Sequence, residues 1–208
     1  MALNNYANLK ASVETWSKRQ DVKDKIDDFL DLCEVEIYEN SVEPLRIRSM
    51  VQLETSATSS SVRTQSLPTG FLEPRRFDLT VSAQRRNIDY VTPTAQYIRT
   101  GTDVPTNYTI TNQIEYDIIP DAAYVTNISY YGKLTALSSS NTTNAILTSH
   151  PNIYLYGTLA VLYQWAENDE EYAKYRGLFL EAIHGANNSD AEGDRGVATK
   201  KSNRGRRP

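Results

Sequence analysis

Apolar positions in the first forty residues recur at helical spacing. Tyr6, Leu9, Val13 and Trp16 stand at i, i+3, i+7 and i+10, which places them on one helical face. Asn4 or Asn5 is suited to cap the start of that helix. A short polar stretch, Lys18-Arg19-Gln20-Asp21, reads as a turn into a second helix. There Ile26, Phe29, Leu30, Cys33 and Ile37 repeat at i, i+3, i+4, i+7 and i+11. Asp27, Asp28, Asp31, Glu34 and Glu36 lie mostly off that stripe. Pro44 bars further helix, because the residue before a proline is pushed out of the α region.

From Leu45 to about Tyr131 the helical period fades and Ser, Thr, Val and Ile dominate. Val51–Thr55 and Phe77–Val81 alternate apolar and polar residues, as half-buried strands do. Ala57 to Ser66, mostly Ser and Thr, reads as a loop or a weak strand edge. Leu67-Pro68-Thr69-Gly70-Phe71 is a turn with an apolar residue on each side. Thr92 to Thr100 is expected as a short helix, with Pro93 in its first turn and Gly101 past its end. Tyr108–Ile110 and Ile114–Ile118 flank Thr111-Asn112-Gln113 and predict a hairpin. Tyr124–Tyr131 predicts a further strand, with Tyr124, Thr126, Ile128 and Tyr130 on one face.

Helix signals return after the polar run Ser138–Asn144. Pro151 fits a first helical turn, where its missing N–H is harmless. Leu155, Leu159, Leu162 and Tyr163 form a stripe that Ile153, Tyr156, Val161 and Trp165 widen, and a helix apolar around most of its circumference belongs at a centre. The acids of Glu167–Glu171 suit the N-terminus of the next helix. Tyr172, Tyr175, Leu178, Phe179, Ala182 and Ile183 form its stripe, and Gly185 is expected to end it. Trp16, Phe29, Leu155, Leu159 and Phe179 are expected in one core. Residues 186–208 contain no Leu, Ile, Phe, Tyr or Trp and are expected to be a flexible arm. Asp190, Glu192 and Asp194 come first in it, and Lys200, Lys201, Arg204, Arg206 and Arg207 come last with no acid among them. The expected fold is α+β. N-terminal helices (1–44) and C-terminal helices (132–185) form a helical bundle, a β-rich insertion (45–131) lies between them, and the arm (186–208) extends from the end.

Charge and composition narrow the function. The chain has 208 residues, 22 basic against 26 acidic, for a net charge of -4, which argues against a nucleic-acid binder in the body of the chain. No apolar run approaches the ~20 residues of a membrane span, and no secretory signal is expected at the N-terminus. Tyrosine, at 14 copies against 4 Phe and 2 Trp, hints at partner surfaces but is equally at home in half-buried strands. One cysteine, Cys33, excludes an intrachain disulfide, and its place on an apolar stripe makes it a small core residue.

Candidate chemistry is sparse. His150 adjoins Pro151 at a helix start, and His184 is expected in the last turn of a helix, where a cation suits the dipole. Neither has a metal-site spacing, and no phosphate loop, dinucleotide fingerprint or nucleophile elbow is present. No cofactor and no metal are expected. Asp27-Asp28 and Asp169-Glu170-Glu171 read as solvated faces and first turns rather than acid/base pairs. Arg75-Arg76 and Arg85-Arg86 suit phosphates or acidic neighbours equally.

Several phrases are familiar in combination: Asn5-Tyr6-Ala7-Asn8-Leu9-Lys10 followed by Trp16 and Ile26-Asp27-Asp28-Phe29-Leu30; Ser66-Leu67-Pro68-Thr69-Gly70-Phe71-Leu72-Glu73; Ile128-Ser129-Tyr130-Tyr131-Gly132-Lys133; Leu134-Thr135-Ala136-Leu137-Ser138; Asn144-Ala145-Ile146-Leu147-Thr148; and His150-Pro151-Asn152-Ile153-Tyr154-Leu155-Tyr156-Gly157-Thr158-Leu159. In this order they resemble the head-to-tail adaptor (connector) proteins of tailed bacteriophages. None is a catalytic signature. The resemblance implies a structural virion protein, not an enzyme, located at the head-to-tail junction and assembled in the host cytoplasm. It implies a homo-oligomeric ring, typically of twelve copies, between the portal protein and a tail (nozzle or tube) protein. DNA passes its bore without sequence-specific binding, and no membrane is involved. It also implies a C-terminal arm lying along the portal, with Lys200, Lys201, Arg204, Arg206 and Arg207 as its binding residues. Acidic helix faces, those of Asp27, Asp31 and Glu34 or of Asp169 and Glu170, are the candidates for the bore. The free chain is expected to be monomeric until it meets its portal. Two other readings stay open: a tail-associated cell-wall hydrolase, which needs a carboxylate pair in a cleft, and a nucleic-acid-binding module using the basic arm.

Overall fold

A computed structural model describes the backbone of residues 3–202 and the side chains of residues 3–191. It is a mixed α+β structure, and the chain divides into two units, Met1–Met50 with Leu134–Pro208 and Val51–Lys133.

The first unit is helical. Helix α1 (Tyr6–Ser17) starts where Asn5, in extended conformation, accepts a hydrogen bond from the Asn8 N–H at 2.9 Å, a side-chain cap for an otherwise orphaned donor. Helix α2 (Ile26–Glu39) buries all five residues of its expected stripe, Ile26, Phe29, Leu30, Cys33 and Ile37. A short helix, α3 (Ala145–Ser149), was not foreseen. Asn144 caps it through the Leu147 N–H at 2.9 Å. Helix α4 (Pro151–Trp165) carries Pro151 in its first turn. Helices α1, α2, α3 and α5 (Asp169–Ser202) all pack against α4, which explains why α4 is apolar nearly all round.

The centre of this unit is Gly157. A Cβ built there would stand 2.5 Å from the Cys33 sulfur and 2.9 Å from the Phe179 ring, closer than real contacts allow. Glycine in a helix interior costs about 0.5–1 kcal/mol relative to alanine, and here the missing side chain lets α2 and α5 close on the α4 backbone. Leu155, Leu159, Phe29 and Phe179 are buried as expected. Trp16 is not: it is 47% exposed. Its ring lies at the rim, 6.1 Å from that of Tyr156. Trp165 is a second rim residue, packed on Phe29 and covered by the Lys25 ammonium 4.5 Å from its ring centre. An indole fits such a rim because its apolar body and its N–H want different surroundings.

A polar network ties the return of the chain to the helices. The Glu34 carboxylate accepts from the Leu137 N–H at 2.9 Å and from the Tyr154 hydroxyl at 3.0 Å. Asn144 in turn donates to the Tyr154 hydroxyl at 2.7 Å, and the Tyr38 hydroxyl accepts from the Leu134 N–H at 3.2 Å. Burial raises the pKa of Glu34.

The second unit is built from strands. One sheet has the order β1 (Val51–Ala57), β10 (Val125–Gly132), β3 (Phe71–Val81), β4 (Gln84–Asn87), antiparallel throughout. The other has the order β2 (Thr64–Gln65), β8 (Ile114–Tyr116), β7 (Asn107–Ile110), β5 (Asp89–Tyr90), and a small parallel pair joins β6 (Thr102–Asp103) to β9 (Ile119–Pro120). The hairpin on each side of Thr111-Asn112-Gln113 forms as expected, with Tyr108 opposite Tyr116. Both larger sheets contribute to one core: Phe77, Leu79, Ile128 and Tyr130 from the first, Tyr108, Ile114 and Tyr116 from the second. The Phe77 ring meets Tyr108 edge-on at 5.0 Å and stacks on Tyr116 at 6.2 Å. Pro74 is accommodated in β3 because the register against β10 shifts there, leaving Arg75 as an extra residue, and because the pairing with β4 does not reach it. Bulges and unpaired edges are where a strand tolerates proline.

The helix expected over Thr92–Thr100 does not form. Its residues bond to the neighbouring strand region instead: Gln96 Nε2 donates to the Glu115 carbonyl, and the Arg99 N–H to the Asp117 carbonyl. Asp117 anchors this segment. Its carboxylate, 2% exposed, accepts from Arg99 Nε at 2.8 Å, the Thr106 hydroxyl at 2.9 Å, and the N–H groups of Thr106 and Asn107. Burial alone would raise its pKa, but the Arg99 bond and the bonds from Thr106 and Asn107 overcome it and hold the carboxyl below its ordinary value.

Two outcomes are expected. Gly157→Ala should destabilise the chain by about 1–3 kcal/mol through overpacking, despite alanine's better helix propensity, and should cost less in a Cys33→Ala background; urea titrations of the four variants measure that coupling. Asp117 has a depressed folded pKa, so its stabilisation is present above the unfolded value near ~3.9 and lost as pH falls through the folded pKa. Asp117→Asn should therefore lower the melting temperature at pH 7 and flatten its decline on acidification below about pH 4.

Candidate interaction surfaces

The sequence points to the C-terminal segment, and α5 carries the backbone into it. Gly185 does not end the helix, which runs on to Ser202. A terminating glycine adopts positive φ, and among the described residues only Gly70 and Gly101 are glycines that do so. A Cβ at Gly185 would meet nothing within 4 Å, so this glycine lies on an open helix face. A lone interior glycine costs only about 1 kcal/mol, which the contacts beyond it offset. Ala186 is buried and extends the stripe of Phe179 and Ile183.

Residues 184–190 grip the connector that follows α2. Asn187 Oδ1 accepts from the Arg46 N–H at 2.9 Å, while its Nδ2 donates to Glu43 Oε1 at 2.8 Å and to the Pro44 carbonyl at 3.1 Å. Asp190 accepts from the Arg48 backbone N–H at 3.1 Å and from Arg48 Nε at 2.8 Å. His184 is within the helix rather than at its end, with Nδ1 2.8 Å from Glu43 Oε2. The hydrogen bond from Asn187, and after it that from His184, hold the Glu43 carboxyl below its ordinary value. The first residues of the expected arm are thus part of the helical unit. The signal was available in Ala186 at the next stripe position, but the glycine before it reads as a stop.

Of the expected portal-binding residues, Lys200 and Lys201 fall on the last turn of α5, with side chains outside the described residues. Arg204, Arg206 and Arg207 lie outside the described residues altogether.

The remaining candidates resolve individually. Cys33 is fully buried, and burial pushes its thiol up to about 12, so it is a packing residue. His150 links α3 to α4 through its backbone, its N–H donating to the Ile146 carbonyl at 2.7 Å. Asp27 receives the Tyr6 hydroxyl and the Lys10 ammonium, both at 2.6 Å. Glu171 pairs with Lys174. Glu34 faces into the polar network, which removes it from the acids available to line a bore. No group of three or more His, Cys, Asp or Glu among the described residues could hold a metal, and no helix among them is long and apolar enough to cross a membrane.

In the β unit, an open cleft of about 510 Å³ runs beside residues 71–77 of β3 and is also lined by Tyr90, Tyr108 and Ile110. Arg76 pairs with the buried Asp78 at 3.0 Å, and Arg75 stacks 5.2 Å from the Tyr131 ring centre. Arg85 and Arg86, by contrast, lie on the fully exposed β4. That strand was not foreseen. Its turn uses Ser82 and Ala83 at positive φ, without the Asn-Gly or Asp-Gly signal such a turn usually carries.

The SU10 adaptor protein family model matches residues 4–204, nearly the whole chain, and the chain belongs to that family. This bears out the resemblance to phage head-to-tail adaptors. The family is a structural, non-enzymatic one, and membership implies a place in the virion and work alongside portal and tail proteins. No curated protein matches the chain.

The anchoring of residues 186–190 is testable by truncation. A chain ending at residue 185 loses the Asn187 and Asp190 bonds and leaves the Arg46 N–H without its acceptor, a loss of about 1–3 kcal/mol. A chain ending at residue 191 keeps every one of these bonds and should melt at the full-length temperature. Equal melting of both truncations would refute the anchoring.

Proposed function

We propose that this chain is the repeating subunit of a ring, in twelve copies, that joins the capsid portal to a tail protein and lets DNA pass through its bore without sequence-specific binding. The observation that carries the reading is the family match over residues 4–204. In this reading the helical ends form the bundle that builds the ring wall. The chain beyond the anchored residues 186–190 continues as an arm along the portal, with Lys200, Lys201, Arg204, Arg206 and Arg207 meeting acidic groups there. Charge-assisted hydrogen bonds of that kind are strong individually, and a ring repeats them, so modest arms hold firmly together through multivalency. The free chain is a monomer in the host cytoplasm that assembles on its portal.

Light scattering of the chain alone and with the portal protein of its own phage tests this directly. The free chain should run as a monomer, and the mixture should gain the mass of a ring. Replacing Lys200, Lys201, Arg204, Arg206 and Arg207 with glutamine should weaken docking, and docking of the unaltered chain should weaken as salt rises. Undiminished docking of the substituted chain would remove the arm from the reading. A salt-dependent shift of DNA with no association to portal would favour the nucleic-acid-binding alternative instead.

A further inference from the structure

The antiparallel sheet of the β unit ends in two strands, β1 on one side and β4 on the other, whose outer edges have no strand partner among the described residues. Such an edge presents unpaired backbone N–H and C=O groups, ready to pair with another chain. Five of the seven residues of β1 are exposed, and all four of β4. Strand direction reverses at each of the three junctions of the sheet. β1 and β4 therefore run antiparallel to each other. A second copy placed alongside by rotation brings its β1 beside the first copy's β4 in the orientation an antiparallel ladder needs.

The side chains match as well. β1 carries Glu54 and no base, while β4 carries Arg85 and Arg86 and no acid. None of the three forms an ion pair among the described residues. Register assigns their faces. Glu54 lies opposite Ile128, which lies opposite Phe77, and Arg86 lies opposite Leu79. Phe77 and Leu79 are two apart on one strand, so Glu54 and Arg86 share a face. Leu53 and Arg85 share the other, and Leu53 is 81% exposed, an apolar side chain that the stem of an arginine can cover. The alternatives are disfavoured: β1 against β1 sets glutamate against glutamate, and β4 against β4 sets arginines against arginines.

We propose that β1 of one subunit pairs with β4 of the next, so that neighbouring copies share one continuous antiparallel sheet. The inference rests on the ring reading above and names its contact. Pairing of two different edges is a heterologous interface, the kind that generates a closed ring when the rotation closes.

Cysteine pairs test it in assembled virions. A chain carrying both Glu54→Cys and Arg86→Cys, oxidised or bridged by a short bis-maleimide, should give a ladder of covalent multimers on a denaturing gel. Either single substitution should give none, and Cys33, being buried, does not contribute. Leu53→Cys with Arg85→Cys provides a second pair on the opposite face, should the first fail to fold. In a parallel arm, Glu54→Arg and Arg86→Glu should each abolish assembly on the portal without changing the melting temperature, and the two together should restore it. A ring seen by light scattering that yields no ladder from either pair and ignores both charge reversals would overturn the edge pairing while leaving the ring intact. An unaltered chain that forms no ring with its portal would overturn both.

Discussion

The helical unit is built around the close approach at Gly157. Three helices meet there, and the middle one has no side chain to keep the others away. The Cys33 sulfur and the Phe179 ring occupy the space a Cβ would need. Because α2 stands more than a hundred residues from α4 in sequence, this contact joins the two ends of the chain into one core. The same approach brings Tyr154 to Glu34 and lets both serve the Leu137 N–H and Asn144. A buried polar network of this kind is stabilising only when its members are satisfied, and each of these groups has its partner.

Part of the tyrosine-rich composition has its explanation in the same interiors. Tyr116 and Tyr130 fill the β core while their hydroxyls reach Gln65 at 2.6 Å and Gln52 at 3.0 Å. Tyr38 and Tyr154 do the equivalent between helices. A ring that needs an apolar site and a hydroxyl that needs a partner together specify where two elements meet. Six of the fourteen tyrosines are buried and six are half-buried, so tyrosine serves both the core and its margins; Tyr90 and Tyr97 are the exposed ones.

The sequence was most legible where period and burial agree. The stripe of Ile26, Phe29, Leu30, Cys33 and Ile37 is buried throughout, and Thr126, Ile128 and Tyr130 alternate inward along β10. It was least legible where long-range bonds decide. Thr92–Thr100 has the punctuation of a helix but bonds to a strand. Gly185 has the look of a stop but stands on an open face, with Asn187 and Asp190 holding the helix beyond it. β4 has no apolar residue at all, so no pattern could announce it, and its turn lacks the usual glycine. The candidate portal-binding residues rest on composition alone, as bases without acids, because residues 186–208 contain no large apolar residue from which a pattern could be read.

Family membership makes this a structural adaptor of a phage particle. The most direct measurement is electron cryo-microscopy of the intact virion at the head-to-tail junction. A ring of this fold beneath the portal, with twelve copies, the chain beyond residue 190 lying on portal density and DNA in the bore, is the expected image. Density for this chain elsewhere in the particle, or at the junction without rotational symmetry, would contradict the reading.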